Sequence, residues 1–413
     1  MKIAVVGSGI AGLGAAWVLS REHEVVLFER EDRLGGHTHT HKVVLDGREY
    51  AVDTGFIVFN DQNYPLLTQL FGELDVASES TSMSFSVQDA RNGLEYNAAS
   101  LDGMFCQRRN LVAPKFLRML SEIKRFYREA HNLLETQGPG PTLGDYLREQ
   151  GYSPLFIEDH LIPMASALWS SPSAQIADFP AKYLIRFMRN HHMLQIAERP
   201  QWRIVSGGSS RYIEAMRMRW KVQERLDTPV LRILRDEDGV RLATDDGEEH
   251  FDHVVLACHS DQALALLGDA SELEHSILGA IPYQDNEVVL HTDVSLLPRN
   301  RKAWAAWNAY VPAGAGEACT VSYCMNILQS LDAPETLVVT LNRSHDIDPE
   351  KIIARMRYQH PLYTHASVAA QNRRGAINGQ RRTWFAGAYW RHGFHEDGLR
   401  SAVSVARALG VEW

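Results

Sequence analysis

Lys2-Ile3-Ala4-Val5-Val6-Gly7-Ser8-Gly9-Ile10-Ala11-Gly12 is an apolar strand running into three glycines. Gly7 permits a tight strand-to-helix turn, Gly9 lets the backbone approach a pyrophosphate, and Gly12 lets the helix pack closely on the sheet. The helix N-terminus then faces the anion. Alone the pattern is weak, because glycines also make ordinary turns. Its surroundings decide the reading: residues 11–19 read as a helix and 23–28 as a second strand. Glu29 follows at the distance of the carboxylate that binds an adenosine ribose. The sequence therefore predicts a bound dinucleotide.

Beyond Glu29 the chain runs Arg30-Glu-Asp-Arg-Leu-Gly-Gly-His37, which puts a guanidinium and two more glycines just past the ribose acid. This resembles the flavoprotein family of amine oxidases, protoporphyrinogen oxidases and phytoene-type desaturases, where an Arg-x-Gly-Gly motif follows the first βαβ unit. The resemblance implies noncovalent FAD, with Arg33, Gly35 and Gly36 contacting it and Asp53-Thr54-Gly55-Phe56 passing near the ribityl and isoalloxazine. Residues 383–398 resemble the family's final FAD segment and lead into a helix expected over 399–409. There Gly387, Asp397, Gly398 and Leu399 would hold the ribityl chain, the phosphates and the flavin's polar edge. The plain alternative for Glu396 and Asp397 is helix N-capping. A backbone group near Val230 would meet adenine; otherwise Val230 is simply a strand residue.

The expected fold class is α/β, a Rossmann-like FAD-binding domain built from discontinuous segments (1–60, 200–281 and 375–413) with an α+β substrate domain (61–199 and 282–374). A length of 413 residues exceeds a single growing core. Short strands within 282–370 read as an antiparallel sheet, with the inserted helices as its cover. The formal charge of −9 argues against nucleic acid as a partner. Cys106, Cys258, Cys319 and Cys324 have no metal-ligand spacing and suit a reducing cytoplasm; Cys319 and Cys324 read as a pair or, more simply, as buried thiols. No apolar run is long enough to span a bilayer, and the first strand starts too early for a cleaved leader to be expected. Residues 181–194 mix basic and large apolar residues at helical spacing, which fits peripheral contact with an inner membrane or, more plainly, a packed helix.

Departures from the amine oxidases bear on the substrate. No Cys precedes Gly387, so a thioether flavin is not expected. Family oxidases often place a Lys, bridged by water to flavin N5, on the strand entering the substrate sheet; residues 279–290 contain none, and Gln284 is the nearest candidate. The whole chain resembles a bacterial branch of predicted NAD/FAD-binding proteins encoded beside cyclopropane-fatty-acid-synthase-like methyltransferases. That resemblance implies oxidation, desaturation or isomerisation of a fatty-acyl or other apolar lipid, with small-amine oxidation or a non-catalytic FAD scaffold as alternatives. His395 and Tyr389 join Gln284 as catalytic candidates. Arg203, Trp169 and Trp390 are substrate-binding candidates, Arg203 as a head-group clamp. His191 and His192 point different ways on a helix, so they do not serve one atom together. His37, His39 and His41 alternate like metal ligands on a strand, but their place after the Gly-Gly turn favours cofactor-loop packing, and no metal is expected. The electron acceptor is not legible in the residues.

Overall fold

The computed structural model describes residues 1–169, 171, 173–314 and 319–413. A five-stranded parallel sheet carries the opening strand Lys2–Val6 at its centre. Its order is Val222–Arg225, Glu24–Phe28, Lys2–Val6, His253–Leu256 and Thr383–Phe385, so Ile3 lies beside His253 and the first and last segments of the chain share one sheet. Val6 pairs with Phe28 on one side and Leu256 on the other. All three strands are continuous apolar runs, as burial on both faces requires. One face is covered by helices Ile10–Leu19 and His395–Ala408, the other by the small antiparallel sheet Arg232–Arg235, Val240–Thr244 and Gly247–Phe251. Phe28 and Phe251 meet edge to face across that second interface at 5.9 Å.

A seven-stranded sheet forms the other half of the molecule, in the order Ile352–Pro361, Tyr283–His291, Val338–Leu341, Thr320–Cys324, Trp307–Val311, Phe85–Asp89 and Leu94–Asn97. Only the pair Trp307–Val311 and Phe85–Asp89 is parallel. The last two strands correct the expectation that the insert supplies only helices. They arise because Phe85, Val87, Leu94 and Tyr96 alternate toward the apolar core while their neighbours pair across a short turn. Helices Pro114–Glu129, Ile162–Trp169 and Ala181–Asn190 cover the sheet. The architecture is thus α/β and Rossmann-like with an added α+β unit.

Two local readings change. Val230 lies outside the strand expected there, which begins at Arg232. The final helix begins at His395, four residues before the expected start, because the Phe394 amide donates to Asp397 Oδ2 at 3.2 Å and so caps an earlier turn. In helix Ala181–Asn190 the apolar residues Tyr183, Leu184, Ile185, Phe187 and Met188 are spent in the core, leaving Arg186 and Arg189 outside. That helix therefore offers no apolar face to a membrane. No helix among the described residues is long and apolar enough to cross one.

Candidate functional site: a dinucleotide cleft continuous with an apolar chamber

The glycine turn is built from backbone. Gly7 sits at φ +97°, and a Cβ at Gly12 would stand 1.8 Å from the Gly7 carbonyl oxygen, so helix and turn can meet only without one. On the opposite side, a Cβ at Gly9 would have no protein atom within 4 Å. The turn is packed behind and open in front, as a phosphate cradle must be. Beside it the Glu29 carboxylate accepts from the Ser8 amide at 2.8 Å, the Ser8 hydroxyl at 2.6 Å and the Glu31 amide at 3.1 Å. Arg33 donates to the carbonyls of Thr38 (3.2 Å) and Gly36 (3.0 Å), which braces the second glycine turn, and the Gly35 amide ties it to the first by donating to the Ser8 carbonyl at 3.1 Å. A Cβ at Gly36 would lie 3.1 Å from Gly9 Cα.

One cavity of about 1780 Å³ runs from this turn into the second half of the molecule. It exceeds the roughly 300–1,000 Å³ of an ordinary small-ligand pocket, so it can take a long cofactor and a second molecule together. Gly7, Gly9, Glu29, Arg33, Gly35, Gly36, Thr54, Gly55, Val230 and Gly387 all line it. The far end is walled by Met164, Trp169, Phe187, Trp307, Tyr323 and Val288. Lining residues from segments 56–85, 164–202 and 307–341 include no Asp or Glu among the described residues, and their one Lys or Arg is the exposed Arg199. Trp169 is fixed by donating its indole N–H to the His392 carbonyl at 3.0 Å.

Between the two ends stands His395, at the first turn of the final helix. Its ring stacks on Phe56 with centroids 3.7 Å apart, and Nε2 meets Thr38 Oγ1 at 2.9 Å. Thr38 Oγ1 in turn meets the Tyr212 hydroxyl at 2.6 Å. Burial, with His37 nearby, pushes the His395 pKa down to about 3, so the ring is neutral near pH 7. Phe394 and His395 line the cavity where this helix begins, while the Asp397 and Gly398 amides bond the Phe394 carbonyl at 2.9 and 3.1 Å. Tyr389 also lines the cavity, with its ring against Gly387.

Several expected site residues lie elsewhere. Gln284 is not on the cavity wall although it shares a strand face with Val288, which is; Tyr283 and Asp285 of the same strand line it as well. Trp390 is buried behind the wall under the Arg374 guanidinium. Arg203 points to the neighbouring strand, donating to Ser78 Oγ and the Ser78 carbonyl, both at 2.9 Å, so it holds strands together rather than a head group. Asp397, Gly398 and Leu399 also lie behind the wall. Asp397 caps the helix, a Cβ at Gly398 would meet Ile10 Cγ2 at 2.7 Å, and the Leu399 side chain packs over Gly14.

Sequence reading missed three cavity histidines, His259, His360 and His392, as site residues, while His37 and His39 line the cavity as cofactor-loop packing would have them. His37, His259 and His360 stand together by the glycine turns, His37 lying 6.2 Å from His259 and 5.2 Å from His360. Burial lowers all three, to about 4, about 4 and about 3. The nearest signal was the position of His37 directly after Gly-Gly and of His259 just past strand His253–Leu256. Among the described residues no group of three or more His, Cys, Asp or Glu is arranged to hold a metal ion.

A split parallel sheet whose glycine turn, ribose acid and helix N-terminus open into an apolar chamber defines an FAD-dependent oxidoreductase. The open front of Gly9 and the placed Glu29 carboxylate fit FAD held without a covalent bond. A family model described as flavin containing amine oxidoreductase matches residues 10–289, and the chain belongs to that family. The flavin-dependent L-tryptophan oxidase RebO of Lentzea aerocolonigenes is 47% identical over 55 residues, a stretch covering 13% of this chain and 12% of that protein. Among solved structures, a CLA-producing fatty acid isomerase from P. acnes superposes with a TM-score of 0.70 at 16% identity, covering 99% of this chain and 98% of the other. Cyclohexylamine oxidase from Brevibacterium oxydans IH-35A does so with a TM-score of 0.68 at 16% identity, covering 99% of each. At such identities the structures share the fold.

Proposed function

We propose that this enzyme oxidises an amine bearing a bulky apolar group. The observation that carries the reading is the chamber itself, aromatic and aliphatic, continuous with the dinucleotide cleft, and lined by no carboxylate from segments 56–85, 164–202 and 307–341 among the described residues. FAD, when bound, supplies the two-electron hydride acceptor. An amine gives up a hydride from the carbon beside nitrogen only as the free base. A low-dielectric chamber without an acid favours that neutral form, because burial disfavours the ammonium. Trp169, Phe187, Tyr323 and Tyr358 offer ring faces to the substrate's apolar part, while Val288 presents a methyl surface that keeps water out. Hydride loss from the free base leaves an iminium, and neutral His395, oriented by Thr38, is the group we assign to border that cation without adding a charge of its own; Tyr389 borders the same space.

The acyl-lipid substrate expected from the sequence stands second. It draws on the same apolar lining and on Arg199 at the rim, a cation suited to a carboxylate. The family description and the tryptophan oxidase relative favour the amine. Mixing the FAD-loaded protein anaerobically with an aryl-alkyl amine is expected to bleach the flavin absorbance, and a fatty acid is expected to leave it unchanged. Bleaching by the fatty acid alone would reverse the two readings.

A further inference from the structure

Residues 101–125 lie apart from the cavity and carry an exposed surface that neither the fold nor the proposed chemistry uses. Leu101 is 79% exposed, Leu111 51%, Val112 81% and Leu117 43%. These are four of the twelve large apolar side chains that stand exposed among the described residues, gathered within seventeen positions. Around them the sequence places Arg108, Arg109, Lys115, Arg118, Lys124 and Arg125 against Asp102 and Glu122, a net +4 on a chain of −9. Glu122 is buried on Ser153, so Asp102 is the one exposed acid of this stretch, and Arg108 and Lys302 both bind it. The segment is held together as one face: the short helix Leu101–Met104 and the turn Arg108–Val112 lead directly into helix Pro114–Glu129, whose Phe116, Met119, Ile123 and Phe126 anchor it in the core.

We propose that this face docks on an anionic lipid surface, with Leu111, Val112 and Leu117 in the interfacial layer and Arg109, Lys115 and Arg118 on the phosphates. Leucines among cations are the composition that an interface of that kind binds, through apolar burial and attraction to acidic lipids together. A protein partner's acidic groove would match the charge but not the isolated, outward-pointing leucines. The placement also relates the face to the cavity. Tyr127, ten residues beyond Leu117 on the same helix and so about 15 Å along it, stands beside Arg199, an exposed residue of the cavity wall. Docking would bring the rim close to the lipid.

Flotation of the FAD-loaded protein with vesicles of phosphatidylcholine, with and without phosphatidylglycerol, tests this. Binding to the acidic vesicles that weakens in high salt supports the proposal. So does a loss of roughly tenfold or more in Arg109→Ala/Lys115→Ala and in Leu111→Ser/Val112→Ser, with flavin content unchanged. Binding to neither vesicle overturns it, as does equal binding to both that the variants do not alter. A wild-type dimer that Leu111→Ser/Val112→Ser makes monomeric, without vesicle binding, assigns the face to a second copy of the chain and overturns it as well.

Discussion

The two ends of the cavity are made of different material. The dinucleotide end is mostly backbone, with two glycine turns and the Glu29 carboxylate bound to the first of them, within residues 6–36 apart from the strand and helix ends that meet them. The far end is mostly side chains, contributed by segments as distant as Phe85, Trp169, Trp202, Trp307 and Met356. A backbone cradle tolerates little change, because nothing in it can rotate away, whereas a side-chain wall can repack around a substitution. Substrate choice can therefore vary on this fold while the cofactor end stays fixed.

The largest test of that contrast is acid. Nine buried histidines, seven of them on the cavity wall, have pKa values lowered by burial to about 3 or about 4. The unfolded chain binds their protons first, so their contribution to stability is whole above pH 6.5 and is lost as pH falls toward 4. Asp53 and Asp397, raised by burial to about 6, act in the opposite sense, losing stability as pH rises from 3.8 to 6. The histidines outnumber them. The melting temperature of the FAD-free chain should drop steeply below pH 6.5, and FAD should soften the drop by placing anionic phosphates beside His37 and His259. An acid profile that FAD leaves unmoved would separate these histidines from the cofactor.

Next in size, Gly12→Ala should destabilise the FAD-free chain by about 3 kcal/mol in urea unfolding, since its Cβ meets backbone at 1.8 Å. Gly9→Ala should leave that stability within about 0.5 kcal/mol and weaken FAD binding by roughly tenfold or more. Equal behaviour of the two would mean that the open front of the turn is not where the cofactor sits. Glu29→Gln should raise the FAD dissociation constant roughly ten- to hundredfold, the worth of a charged hydrogen bond, measured by fluorescence quenching. The smallest effect belongs to Arg203→Ala. Losing its two bonds to Ser78 should cost about 1 kcal/mol with turnover unaltered, whereas a fall in substrate affinity would return Arg203 to the site.

The same division governs what could be read in advance. Gly7, Gly9, Glu29, Arg33 and Gly36 were legible because their work depends on neighbours a few residues away. Gln284 and Val288 were not separable in the sequence, since both share one face of strand Tyr283–His291 and only the path of the cavity along the strand decides that Val288 lines it. Asp397 was legible as a helix-capping residue, the alternative the structure bears out, but not the helix start at His395 that its cap produces.

The amino-acid order alone thus determined the α/β class and the dinucleotide turn, because each rests on local backbone geometry that a short motif specifies, and the flavin followed from the family resemblance of the segments around Arg33 and Gly387. Only the tertiary structure decided that the far chamber lacks acids among the described residues, that Arg203 and Trp390 stand outside it, and that the leucines of residues 101–117 face outward. Those are properties of side chains brought together from distant segments, and no periodicity within one segment records which faces will meet.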